Sequence, residues 1–269
     1  AIRPEGRVYG TITIQHLVRR YPKLCAMTAT AVRCAEELHD FYDLATVVVP
    51  TVQPVRRVDH GDRVFPTRSA KTRALVDEIA AAHATGRPVL VGTGSVKESE
   101  ELAGHLADAG VRCEVLNARN DEREAELVAA AGRLGAVTIS TNMAGRGTDI
   151  RPDPAALALG GLYVIGTNRH DSRRVDDQLR GRSGRQGEPG ASRFFVSLED
   201  PLFEHYGVRE FLPRDLDDPR VGPEIDRAQA IIEGQNHRIR RSLHEYARLV
   251  ELDRLAVRQM RDEALRGRL

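Results

Sequence analysis

Residues 88–110 read PVLVGTGSVKESEELAGHLADAG. PVLVGT (88–93) is a short apolar strand, and VKESEELAGHLADAG (96–110) is a helix ending in Gly110. A short apolar run bounded by Gly and Pro reads as a strand, and a longer periodic stretch closed by Gly as a helix. The same alternation continues on both sides. Upstream lie TVVVP (46–50), a buried strand stopped by proline, and PTRSAKTRALVDEIAAAHATG (66–86), an amphipathic helix with a Gly terminator. Downstream lie CEVLN (113–117), a charged helix over 121–133, AVTIS (136–140), LYVIG (162–166) and SRFFVSLED (192–200). Strands alternating with helices imply right-handed βαβ units, and so an α/β domain with a parallel sheet flanked by helices.

The flanks read differently. The first 45 residues hold a strand-like YGTITIQ (9–15), a small-residue turn LCAMTATA (24–31) and a helical pattern over 31–42. Residues 207–223 are rich in Pro, Asp and Arg and read as a linker. Beyond it, Ile225, Ala228, Ile232, Ile239, Leu243, Tyr246, Val250, Val257, Met260 and Ala264 fall on spacings of three, four or seven. That is one long amphipathic helix with a narrow apolar seam. Its charged remainder reads as a solvated face.

Composition bounds the function. Of 269 residues, 41% are hydrophobic and 29% charged, the make-up of a soluble globular protein. A net charge of +1 gives no global drive toward nucleic acid or an anionic membrane. Six Phe, six Tyr and no Trp argue against single-strand binding, which stacks bases on aromatic side chains. Cys25, Cys34 and Cys113 lack metal-ligand spacing and read as reduced, packed thiols of a cytosolic protein. No apolar run approaches a membrane span and no signal peptide is visible. Starting at Ala1 fits either a processed protein or a fragment of a longer one.

The chemistry concentrates in QLRGRSGRQGEPG (178–190), where Arg180, Arg182 and Arg185 are separated by Gly and Ser. Small residues let backbone approach a ligand, and each guanidinium fork offers two hydrogen bonds to a planar oxyanion, so the run suits a polyphosphate. The bland alternative is a solvated basic turn. TNMAGRGTDI (141–150) follows the AVTIS strand and places two glycines, Arg146 and Asp149 in a loop. Ligands of open α/β sheets bind beyond the carboxyl ends of the strands, so both loops are expected on one such edge. ATP hydrolysis also needs a phosphate loop and a Mg²⁺-binding acidic motif. The nearest phosphate-loop candidate, GTGSVKES (92–99), lacks the Gly-Lys-Ser/Thr ending, so Lys97 reads as a surface helix residue.

With TNMAGRGTDI, GGLYVIGTNRHDSRRVDDQLRGRSGRQG (160–187) and SRFFVSLEDPLF (192–203) in order, the chain resembles SecA, the motor ATPase of bacterial protein export. Gln-x-x-Gly-Arg-x-Gly-Arg is the arginine-finger spacing of two-domain helicase-like ATPases. The resemblance implies a RecA-like second nucleotide-binding fold over 46–206. Residues 1–45 would then be a remnant of the first fold, and the helix over 224–269 the start of the helical scaffold. LCAMTATA is similar to the family's GMTGTA loop, with Ala26 and Ala29 in place of glycine. LCAMTATA, the ESEEL helix and VLNARNDE (115–122) lean toward the accessory paralogues of high-GC Gram-positive bacteria. RPDPAAL (151–157) departs from the usual Leu-Gly-Gly continuation, and its two prolines stiffen the segment.

The resemblance also implies roles. Arg182 and Arg185 are the arginine fingers. Gly145, Arg146, Gly147, Thr148, Asp149 and Gln178 face the nucleotide, with Gln178 orienting the motif loop. Arg146 and Arg174 couple the cleft to domain motion, Arg174 through a salt bridge to the first fold. ATP is the implied nucleotide, with Mg²⁺ held by the missing first fold. The implied partners are the SecYEG channel complex, an unfolded preprotein, an anionic membrane surface and a second copy of the chain, with no nucleic acid. The implied location is the cytoplasm and the cytoplasmic face of the plasma membrane. Two other classes stay open from the residues themselves: the second RecA-like fold of a nucleic-acid helicase, and a non-catalytic regulatory module.

Overall fold

The computed structural model describes residues 11–116, 124–141 and 148–267. The chain divides into two compact units, residues 1–48 with 234–269, and residues 49–233. The smaller unit begins with α1 (Ile14–Val18), followed by a 3₁₀ turn (Ala31–Cys34) and α2 (Ala35–Tyr42). The strand expected over YGTITIQ is not formed by its described residues 11–15, and Ile14 and Gln15 belong to α1. Thr13 explains the difference. Its hydroxyl accepts the backbone N–H of His16 at 3.4 Å, capping a helix start that period-two alternation does not foresee.

Among the described residues, the larger unit is built on seven strands and the helices between them. In chain order they are β1 (Arg56–Asp59), β2 (Arg63–Phe65), α3 (Arg68–Ala84), β3 (Val89–Thr93), α4 (Val96–Asp108), β4 (Glu114–Leu116) and α5 (Glu124–Ala130). There follow β5 (Val137–Thr141), α6 (Pro154–Ala158), β6 (Tyr163–Gly166), α7 (Arg173–Arg180), a 3₁₀ turn (Arg185–Gly187), β7 (Pro189–Ser197) and α8 (Pro201–Tyr206). A 3₁₀ turn (Val208–Phe211) precedes the long helix α9 (Val221–Leu265). The sheet runs β1-β7-β6-β3-β5-β4, with β2 also on β7, and every described pairing is parallel. This is the expected α/β class: a parallel sheet flanked by helices and followed by a long helix.

Burial follows the two-residue period of a strand. Val89 and Val91 face a cluster with Leu75, Ile79, Leu102 and Leu106, while Leu90 faces one with Val164, Phe194 and Leu179. With both faces covered, the central strands read as unbroken apolar runs, which is why sequence alone located them. Across the sheet, the buried Lys71 of α3 donates to the Thr167 carbonyl at 2.7 Å and to Asp200 Oδ1 at 2.6 Å. Asp200 Oδ2 accepts the Ser197 N–H at 2.7 Å, so α3 is tied to the ends of β6 and β7.

Two expectations change. TVVVP (46–50) forms no strand, and Val47, Val48 and Val49 are 80%, 69% and 81% exposed. Pro50 and Pro54 have no N–H to donate to a ladder, and the edge pairing on β7 starts only at Arg56. Within the stretch read as a linker, Val208 and Val221 join the core, at 2% and 3% exposure. The apolar seam of α9 is buried at Ile225 and Ile232, whereas Ile239, Leu243, Tyr246, Val250, Val257 and Met260 are exposed. In the smaller unit α2 packs on α9. Arg240 makes a two-pronged pair with Glu37 at 2.7–2.8 Å, and His244 stacks on the buried Phe41 at 4.8 Å.

Glycines show which backbone approaches matter. Gly161 has φ +68°, and a Cβ there would lie 2.1 Å from the Pro189 carbonyl oxygen. Gly104 sits on the exposed face of α4 with nothing near a new Cβ. Gly161→Ala is expected to destabilise the fold by more than about 1 kcal/mol, because Ala resists positive φ and the obstacle is backbone. Gly104→Ala is expected to stabilise it by roughly 0.5–1 kcal/mol. Urea midpoints of the two variants check both signs.

Candidate functional site

The site is organised by α7 and the turn after it. Gly92 of β3 and Gly166 of β6 are register neighbours. A Cβ on Gly92 would press Leu179 of α7 at 2.6 Å, and one on Gly166 would press the Phe194 ring at 2.3 Å. Bare Gly92 therefore lets α7 lie close on the sheet, with Asp176 and Leu179 buried, while bare Gly166 makes room for the Phe194 ring of the neighbouring β7.

The helix ends at Gly181, where the arginine motif begins. Buried Ser183 donates its hydroxyl to the Leu162 carbonyl at 2.6 Å, pinning the turn to the start of β6. Gly184 has φ +67° and leaves no room for a Cβ, which would meet Arg57 Cβ at 2.6 Å. Gly187, at φ +77°, is packed in the same way on Gln53. Gln186 is a non-glycine residue at φ 54°. Residues with side chains avoid that region, so the surrounding packing holds a strained loop in one shape.

The arginines divide. Arg185 donates to the Gly181 carbonyl at 3.0 Å and to Asp149 Oδ1 at 2.6 Å. Arg182 donates to the Thr148 carbonyl at 3.4 Å. Arg180 turns inward, bonded to Asp177 at 2.9 Å and stacked 4.7 Å over Phe194. Asp149 is shared, since Arg151 also reaches it at 3.3 Å. The Arg185–Asp149 pair is 35% and 44% exposed, so it contributes only about 0–1 kcal/mol and can open at little cost.

Arg182 and Arg185 thus meet Thr148 and Asp149, as the shared-edge argument requires, but the edge differs from the expected one. The motif sits at the starts of β6 and β7, beside Leu162 and Pro189, rather than beyond the carboxyl ends of the strands. The reason is that α7 leaves the carboxyl end of β6 and runs back across the sheet before delivering the arginines. Gly145, Arg146 and Gly147 lie outside the described residues. Arg174 and Gln178 are half-buried and one turn apart on α7, on a stripe separate from Asp176. Among the described residues Arg174 makes no ion pair.

The turn of GTGSVKES is occupied by its own chain. Ser95 Oγ accepts the Glu98 N–H at 3.1 Å, and Glu98 Oε2 accepts the Gly94 N–H at 2.8 Å. Lys97 is exposed and lies 3.6 Å from Glu101. The N–H groups that would cradle a phosphate cap α4 instead. Among the described residues no three His, Cys, Asp or Glu side chains gather as a metal site.

Sequence reasoning missed a buried network at the other end of α7. Arg169 makes a fork to Asp62 at 2.8 and 3.1 Å, donates to Asp176 Oδ2 at 3.0 Å, and lies 4.8 Å over Phe194. Asp176 Oδ1 accepts from the backbone N–H of His170 at 3.1 Å and lies 2.7 Å from its Nδ1. Burial pushes the Asp176 carboxyl up, but the His170 hydrogen bond and the Arg169 charge outweigh it, and it ionises below the usual carboxylate range. The signal is the alternation of acids and bases in RHDSRRVDDQ (169–178), which places Arg169 and Asp176 seven residues apart.

Comparison with known proteins follows this geometry. The model of the SecA P-loop domain matches residues 54–154 and 152–213, and that of the SecA DEAD-like domain matches residues 1–39. The protein translocase subunit SecA of Malacoplasma penetrans is 46% identical over 271 residues, covering 98% of this chain and 19% of the relative. That of Desulfotalea psychrophila is 46% identical over 276 residues, covering 99% of this chain and 32% of the relative. The chain thus spans about a fifth to a third of these curated relatives. Among solved structures, the E. coli DEAD-box protein SrmB is 20% identical, with a TM-score of 0.46, covering 58% of this chain and 87% of that one.

Removing the Asp176 carboxylate takes one of two close counter-charges from the buried Arg169 guanidinium. Asp176→Asn should lower stability by about 3 kcal/mol or more at neutral pH. Because the native carboxyl ionises below its ordinary value near ~3.9, its contribution is complete above that value. It is lost as pH falls through the lower native value, so the gap between wild type and Asp176→Asn should close below about pH 4. Thermal midpoints of both proteins across pH 3–7 measure it.

Proposed function

The chain belongs to the SecA family, and from that premise we propose that it supplies the arginine-bearing half of a shared ATP site in a protein-translocating motor. The observation that carries the proposal is the convergence of Arg182 and Arg185 on Thr148 and Asp149, in a loop held rigid by Gly184, Gly187 and Ser183. In this reading, ATP binds between this sheet and a first nucleotide-binding fold. That fold carries the phosphate loop and holds Mg²⁺. Arg182 and Arg185 face the γ-phosphate, where the two forks stabilise charge that develops as the phosphoryl group transfers. The exposed pairing with Asp149 keeps Arg185 extended toward the cleft until an anion replaces the carboxylate. Thr148 and Gln178 orient the loop, and Arg174 meets the first fold.

The wider role follows from the same premise. ATP binding closes the two folds, and the motion drives an unfolded preprotein through a SecYEG-type channel at the cytoplasmic face of an anionic membrane. Homodimerisation belongs to this reading. Among the described residues no helix is long and apolar enough to cross a membrane. The relatives' name, protein translocase subunit SecA, supports this role over that of a nucleic-acid helicase.

Two measurements test the proposal. The isolated 269-residue chain should show no magnesium-dependent ATP turnover, since in this reading the phosphate loop belongs to the other half of the site. Robust turnover by that chain would overturn the half-site reading. In the intact motor, Arg182→Ala and Arg185→Ala should each lower kcat by roughly 10³-fold or more while changing nucleotide affinity little, because a finger meets charge formed in the transition state. Lys at either position should rescue poorly, since a point charge lacks the planar fork. Arg180→Ala should act mainly through packing on Phe194. Loss of turnover in Arg180→Ala with wild-type kcat in Arg182→Ala would reverse the assignment.

A further inference from the structure

α7 starts without a cap of its own, because Ser172 makes no side-chain hydrogen bond to the helix N–H groups. The cap comes from α9. Glu233 Oε1 accepts the Arg173 N–H at 2.7 Å and the Ser172 hydroxyl at 3.1 Å, and Oε2 accepts from Arg173 Nε at 3.0 Å. A carboxylate at this end also matches the positive pole of the helix. One turn earlier on α9, the fully buried Gln229 donates from Nε2 to the His170 carbonyl at 2.7 Å and to Asp176 Oδ2 at 2.8 Å. One turn before that, Asp226 lies 3.6 Å from Arg169. Asp226, Gln229 and Glu233 form an i, i+3, i+7 stripe of α9, and the stripe faces the first turn of α7.

We propose that Glu233 and Gln229 are positioning residues for the arginine motif, acting through α7. The helix is eight residues, or about 12 Å, long, and it passes without a joint into Gly181. A shift or rotation at its first turn is therefore carried along the helix to the motif turn, which Ser183 and Gly184 hold from the other side against Leu162 and Arg57. The close approach of Leu179 to Gly92 keeps the helix against the sheet and leaves sliding and rolling as the movements open to it. Glu233 sets the start of the helix by holding its first N–H, and Gln229 sets its roll by holding Asp176. Both residues bind at the end of α7 away from the arginine motif, so they act on the placement of the arginines rather than on ligand binding itself. This inference rests on the proposed role of the arginines.

The experiment uses the full-length motor, with ATP turnover and the affinity of a non-hydrolysable ATP analogue measured separately. Glu233→Ala should lower kcat about tenfold or more with analogue affinity nearly unchanged, because misplacement of a reacting group by about 1 Å costs up to ~10²-fold. Glu233→Gln keeps an acceptor for Ser172 and the Arg173 N–H and should recover part of the loss, while Gln229→Leu should behave like Glu233→Ala. The deciding arm adds Glu233→Ala to an Arg182→Ala, Arg185→Ala background, where it should have no further effect on turnover. A folded Glu233→Ala protein with wild-type kcat, or an equal fold-loss in both backgrounds, overturns the positioning role. Should Glu233→Ala fail to fold, Glu233→Gln carries the same comparison with the same outcomes. Unchanged turnover in the double arginine variant would instead overturn the site reading on which the inference stands.

Discussion

The carboxylate of Asp176 has no solvent exposure and gathers donors from two stretches of chain: Arg169 and His170 after β6, and Gln229 on α9. Arg169, bound to it, is also held by Asp62 from the gap between β1 and β2. Burial of this kind is unforgiving, since one missing partner leaves a charge stranded in a poor dielectric. The fully paired state is therefore the only cheap one, and it fixes α7 in position and roll. The motif turn, the start of β7 and the pairing of Asp149 all build on that placement.

The edge strand shows how backbone serves this cluster. β1 pairs with residues 189–192 of β7 and β2 with residues 195–197, so one edge is made in two pieces. The interruption over 60–62 releases Asp62 from the ladder and turns it toward Arg169, while Asp59 beside it binds Arg57 and Ser192. Arg57 in turn supports Gly184 and donates to the Ser183 carbonyl at 3.3 Å. A short defect in pairing thus supports both ends of α7.

Much of the fold was legible because β3, β5 and β6 are buried on both faces and leave unbroken apolar runs, and because α3 and α4 carry plain caps in Thr67 and Ser95. TVVVP has the same apolar signature without a neighbouring strand, and composition alone does not report a missing neighbour. The arginine motif was legible as chemistry, since the residue types and spacing are local. Its edge was not, because a rule about strand ends does not register a helix that carries the motif back across the sheet. Asp62 and Arg169 are 107 residues apart and Gln229 and Asp176 are 53 apart, so their union belongs to tertiary structure.

The openness of the Arg185–Asp149 pair has a consequence for recognition. Asp149 is an anion tethered to the chain, so any incoming oxyanion competes with a partner whose local concentration never falls. The handicap is bounded by the strength of an exposed pair, about 0–1 kcal/mol, or roughly fivefold at most in apparent affinity. In the proposed ATP site, a dilute anion of low charge, such as chloride or a lone carboxylate, would gain little by displacing Asp149, while a polyphosphate that also engaged Arg182 would outbid it. Under that proposal the tethered acid would filter ligands by multiplicity of charge, and because the contact is screened, added salt would relax the filter.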